Sequence, residues 1–91
     1  MSVTVRIPTT MRPLTGGEKQ VSVETGTLSD VIAALEAAHP GVGERLVDED
    51  GGLRKFVNIF VDDDDVRYLD GLDTKVADGI TVSIIPAVAG G

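Results

Sequence analysis

The chain has 91 residues, enough for one domain with a modest hydrophobic core and too few for two. Hydrophobic residues make up 42% and charged residues 25%, ordinary for a globular protein, and the absence of cysteine excludes disulfides, thiolate metal sites and any thiol nucleophile of its own. The formal net charge of −7, from 8 basic and 15 acidic residues, argues against nucleic acid as a partner and favours a basic patch on a partner protein. No stretch approaches a membrane span and no basic region followed by an apolar block opens the chain, so it reads as cytoplasmic, with no membrane partner.

Val3-Thr4-Val5-Arg6-Ile7 alternates apolar and polar and reads as a first strand. Pro8 to Gly17 reads as a loop, and Lys19 to Val23 as a second strand forming a hairpin with the first. After Gly26, Thr27 fits a helix N-cap and Asp30 the matching capping-box acid. Leu28, Val31, Ile32, Leu35 and Ala38 recur at steps of three and four, which gives one apolar stripe ending at Pro40-Gly41. The lone histidine, His39, falls in the last turn, where a cation favours the helix dipole. No Gly-x-Ser-x-Gly elbow supplies it with a nucleophile. Gly41-Val42-Gly43 follows a helix rather than a strand and lacks a third glycine, so it is no dinucleotide loop.

Leu46 reads as a core residue in a short turn, and Asp48 to Gly52 as an acidic loop. Phe56 to Val61 carries the strongest strand signal. Asp62 to Asp65 lacks the alternate spacing, glycine and distal glutamate of a calcium loop and reads as a solvated turn, with no metal site. Val66-Arg67-Tyr68 reads as a short strand and Leu72 to Val76 as a connection anchored by its two end residues. Asp78-Gly79 is a turn before a last strand, Ile80 to Ile85.

Two strands before one helix, with the rest after it, predict an α+β fold: a mixed sheet of four to five strands with one main helix across one face. The first and last strands would pair in parallel at its centre. Val57, Ile59, Val61, Val82 and Ile84 would face the helix. Phe60 and Ile85 would then share the opposite face beside the chain's end and form a candidate docking surface. Residues 1–86 make the domain and 87–91 a flexible tail. Pro86 stops the strand, and Ala87, Val88, Ala89 and Gly90 form a thread with little bulk, leading to Gly91.

These features resemble the ubiquitin-like β-grasp proteins, and among them the prokaryotic sulfur carriers of the ThiS and MoaD kind. The resemblance rests on Val3 to Pro8, Arg12-Pro13-Leu14-Thr15-Gly16-Gly17, Phe56 to Val61, Asp64 to Arg67 and the terminal Pro86 to Gly91. It is strongest to the CysO type, the carriers of thiocarboxylate-dependent cysteine synthesis. Small subunits of molybdopterin synthase end similarly, usually with a second proline where this chain has Ala87.

The resemblance implies a stoichiometric co-substrate rather than an enzyme, without a catalytic residue or bound cofactor of its own. An E1-like adenylyltransferase would use ATP to adenylate the Gly91 carboxylate, and sulfur transfer would leave a thiocarboxylate there. The thiocarboxylate would pass its sulfur to a pyridoxal-phosphate-dependent cysteine synthase or another sulfur-incorporating synthase, and a metalloprotease would release the product. A molybdopterin synthase subunit and a ubiquitin-like protein modifier are the alternatives.

Overall fold

A computed structural model describes residues 2–55 and 57–86. The expected tail, residues 87–91, and the residue at position 56 lie outside the described residues. The elements are β1 (Ser2–Arg6), β2 (Gln20–Glu24), β3 (Gly26–Thr27), α1 (Leu28–Ala38), α2 (Val42–Leu46), β4 (Val57–Val61), β5 (Asp64–Asp65), β6 (Lys75–Val76) and β7 (Thr81–Pro86). Five strands form a mixed sheet in the order β2-β1-β7-β4-β5, and β3 pairs with β6 beside it. This is the expected α+β β-grasp arrangement.

Alternation dictates the sheet's two faces. Val3 and Val5 of β1 are buried, as are Val57, Ile59 and Val61 of β4 and Val82 and Ile84 of β7. They share one core with Leu28, Val31, Ile32 and Leu35 of α1. Burying each such side chain contributes roughly 1.5–3 kcal/mol, which makes this interface the main source of stability. Ala38, expected in the helix stripe, is exposed because the helix ends there; Ala34 packs against the core instead.

The helix starts as its sequence demands. The Asp30 backbone N–H donates to the Thr27 hydroxyl at 3.2 Å, and the Thr27 N–H donates back to the Asp30 carboxylate at 3.0 Å. The Leu28 N–H, which has no partner within the helix, donates to the Thr74 carbonyl at 2.8 Å. At the other end, His39 is the C-cap, and its N–H donates to Leu35.

Pro40-Gly41 ends α1 and immediately opens α2, where Leu46 is buried. The Glu36 carboxylate accepts the N–H of Gly41 at 3.1 Å and that of Gly43 at 2.9 Å. It ties the two helices together.

Two expected irregular or extended segments are in fact 3-10 turns. Thr9–Thr15 is a 3-10 helix that inserts Met11 into the core, not an open loop. Val66–Tyr68, expected as a strand, is a second one. The fifth strand is the preceding pair, Asp64–Asp65, opposite Val61 and Phe60. The connection after it is anchored as expected, with Val76 buried and Leu72 packed on the core.

The hierarchy of these interactions can be measured by urea denaturation. Leu35→Ala, at a fully buried position, should cost about 2–5 kcal/mol. Thr27→Ala should cost about 1 kcal/mol by removing one half of the capping box. Glu36→Ala strands two backbone donors and should fall between them. A Glu36→Ala variant as stable as the parent would show that α2 does not depend on this tie.

Candidate functional site

The site is built around the end of β7. This strand lies between two others, pairing in parallel with β1 (Thr4, Val5 and Arg6 opposite Thr81, Val82 and Ser83) and antiparallel with β4 (Val57 opposite Pro86, Asn58 opposite Ile85, Phe60 opposite Ser83). Pro86 is its last residue and the point from which the expected tail continues. A proline offers no N–H to a further rung, so the ladder has reason to stop here.

Phe60 and Ile85 alternate with the buried residues of their own strands, which puts them together on the other face of the sheet. Register makes them diagonal neighbours, close enough for an aromatic ring to reach an aliphatic side chain. Ile85 is 49% exposed and Phe60 is half-buried. Ser83 lies between Phe60 and Arg6 across the sheet. The patch is a small apolar area in a polar surround.

An arginine fixes its border. Arg67 donates to the Asn58 side-chain oxygen at 2.7 Å and to the Arg54 carbonyl at 2.7 Å, while Arg54 donates to the Glu44 carbonyl at 2.6 Å. Asn58 is the cross-strand partner of Ile85, so this chain of bonds fixes a side chain beside the apolar patch. Its members are 9 to 13 residues apart, and no local pattern announces them.

Pro86 also lines two grooves, one on each flank. The first runs along Ile7 to Thr10 and Ser83 to Ile85; the second passes Thr10, Met11 and Val57 toward the end of α2. The buried Met11 therefore places the 3-10 segment against the root of the tail. Ala87, Val88, Ala89, Gly90 and Gly91, the remaining expected site residues, lie outside the described residues.

The acidic run has a structural part to play. Asp62 adopts φ 56°, in the left-handed region. Its N–H donates to the Thr81 carbonyl at 2.8 Å, and its carboxylate accepts the Thr81 N–H at 3.2 Å. Asp65 accepts the N–H of Arg67 at 2.8 Å and caps the following turn. Two of the four carboxylates are thus engaged with backbone. Among the described residues, no group of three or more His, Cys, Asp or Glu side chains is disposed to hold a metal ion. None of their helices is long and apolar enough to cross a membrane.

Known proteins resemble this chain over its whole length. The ThiS family matches residues 5–91. Sulfur carrier protein CysO of Mycobacterium tuberculosis is 56% identical over 93 residues, spanning 100% of both chains. A chain in the crystal structure of the Amycolatopsis orientalis BexX/CysO complex is 48% identical with a TM-score of 0.92, over 98% of this chain and 99% of that one. Small archaeal modifier protein 3 of Haloferax volcanii is 41% identical over 68 residues, 75% of this chain and 73% of that protein.

Because Ile85 is half exposed, Ile85→Ser should change unfolding free energy by no more than about 1 kcal/mol. Leu35→Ser should cost about 3 kcal/mol or more, and Phe60→Ser should fall between. Chemical denaturation of the three variants checks this order. If Ile85→Ser unfolds as readily as Leu35→Ser, the patch belongs to the core and cannot serve as a docking surface.

Proposed function

Because the chain belongs to the ThiS family, we propose that it is a stoichiometric sulfur carrier whose Gly91 α-carboxylate is the carrying group. The observation that carries this reading is the match to a sulfur carrier protein along the full length of both chains. The Gly90-Gly91 ending and the absence of cysteine support it: sulfur held on a carboxyl carbon needs no thiol of the carrier's own.

The chemistry follows from what a carboxylate cannot do. It is a poor electrophile, because attack on it must expel oxide or hydroxide. Adenylation by an ATP-dependent E1-like partner releases pyrophosphate and turns the carboxyl oxygen into part of a good leaving group. A partner's persulfide then attacks the acyl carbon and expels AMP. Thiol cleavage of the resulting acyl disulfide leaves the thiocarboxylate. That group is ionised and nucleophilic at neutral pH, and it would add to an electrophilic aminoacrylate on a pyridoxal-phosphate enzyme. The thioester so formed would rearrange by an S-to-N acyl shift to an amide, and a metalloprotease would hydrolyse that amide to free cysteine and restore the carboxylate. The carrier supplies the cargo position, a thread without bulk and a face on which partners dock.

In this reading residues 87–91 are the thread, Pro86 its root, and Phe60 and Ile85 the docking patch. Glycine at the tip fits a passage too narrow for a Cβ. A second reading, conjugation of Gly91 to a lysine amine after the same activation, is favoured by the similarity to a small archaeal modifier protein. Isopeptide-linked conjugates in cell extract would identify it.

Incubation with the activating enzyme of the same organism, ATP and a sulfur donor should change the intact mass by one oxygen-to-sulfur exchange. Tandem mass spectrometry should place the sulfur on Gly91. Deleting Gly91 or appending one residue should abolish loading while leaving the melting temperature nearly unchanged, since termini beyond the last strand contribute little to folding. Sulfur on any other residue would overturn the assignment.

A further inference from the structure

The eight cations of this acidic chain are unevenly placed. Arg6, Arg12 and Lys19 line the groove on one flank of Pro86. Arg45, Arg54 and Lys55 line the groove on the other. Arg67 joins them through its bonds to Asn58 and Arg54. Lys75, in β6, is the one cation placed elsewhere. Two carboxylates, Glu44 and Asp48, face the second groove, and among the described residues none lines the first. Aspartates mark the other end of β7: Asp62 is bonded to Thr81, and Asp78 accepts the Ser2 N–H at 2.8 Å. The central strand therefore runs from an acidic pole to a basic collar.

The bonds made by the collar arginines leave their charge unspent. Arg12 donates to the Ile7 carbonyl at 3.3 Å, Arg54 to the Glu44 carbonyl, and Arg67 to an amide oxygen and a carbonyl. Those acceptors are neutral, so the bonds do not offset the guanidinium charge. The two ends of β7 are about 17 Å apart at roughly 3.3 Å per residue. That is about two Debye lengths at physiological ionic strength, so the acidic pole is largely screened from whatever approaches the collar. The net charge of −7 favours a basic partner, but the surface around the tail root has the opposite sign.

We propose that the collar docks against an acidic rim: a ring of Asp and Glu side chains on the partner protein around the mouth of the channel that receives the tail. Cations on both flanks of the strand's end match a ring around a channel better than a single anion. Carboxylates also suit the planar fork of arginine. The acidic pole would be repelled by the same rim, which orients the carrier tail-first. The inference deepens the carrier reading, since it requires that a partner take up the tail.

The collar can be tested without that partner. A hexaglutamate peptide titrated into the ¹⁵N-labelled chain at physiological salt should shift amides within residues 6–19 and 45–55 and leave those of residues 62–65 and 78 in place. Arg6→Gln/Arg12→Gln/Lys19→Gln should weaken this binding about tenfold or more, given a few exposed charge pairs, while Lys75→Gln leaves it unchanged. Urea denaturation of the triple variant establishes that it folds. Shifts centred on the acidic pole, or undiminished in the folded triple variant, would overturn the collar. Tripolyphosphate binding the collar more tightly than the peptide at equal charge would instead identify a phosphate site and overturn the acidic rim. In the sulfur-loading assay the triple variant should lose about tenfold in kcat/KM with the cargo still on Gly91. If the parent chain never loads, the carrier reading fails, and the peptide titration still decides the collar.

Discussion

Thr4, Val5 and Arg6 pair in parallel with Thr81, Val82 and Ser83, and this contact between the two ends of the chain sets the position of everything else. Parallel neighbours run the same way, so β7 must end near the end of β1, beside Ile7 and the 3-10 segment that follows. Had the last strand paired antiparallel there, Pro86 would emerge among the aspartates instead. The start of β7 is pinned as well, because the Gly79 N–H donates to the Ser2 carbonyl at 3.0 Å and Asp62 holds Thr81 by two bonds. Direction and register are both fixed before any partner is considered.

The sheet thereby keeps one face for the core and leaves residues of the other partly exposed. One face of the sheet is consumed by α1 and the core, where side chains are worth several times more to stability than at the surface. The other carries Ile85, Phe60 and Arg6, whose alteration leaves that core intact. Contacts outside the core can therefore change without unfolding the body. Pro86 lies at the border between the apolar patch and the two cation-lined grooves.

Much of the fold was legible because it rests on short-range rules. Strand alternation assigned the buried faces of β4 and β7, and the Thr27-Asp30 spacing located the start of α1. What failed depended on contacts between distant segments. Val66 and Tyr68 look like two turns of a strand's alternation, which would put them on one face; instead Val66 is buried and Tyr68 is 88% exposed, the mark of a turn. The Pro8 to Gly17 stretch has a loop's composition, yet Met11 finds a place in the core and closes it into a 3-10 helix around Pro13. Neither the Glu36 tie nor the Arg67 chain could be read, because each acceptor is defined only once the backbone has folded. The collar was hidden differently: net charge sums over a surface and discards where each charge stands. The proposed cargo position rests on the sequence alone, on two terminal glycines with no thiol anywhere in the chain.

The central place of β7 has a mechanical consequence. Tension applied at Pro86 in the direction of β7 would act along the strand axis. The hydrogen bonds of β7 to β1 and β4 lie across that axis, so they are loaded together in shear on both sides of the strand. A strand at the edge of the sheet, peeled away sideways, would surrender its bonds one at a time. The body can therefore bear tension applied at Pro86, the end of a strand paired on both sides.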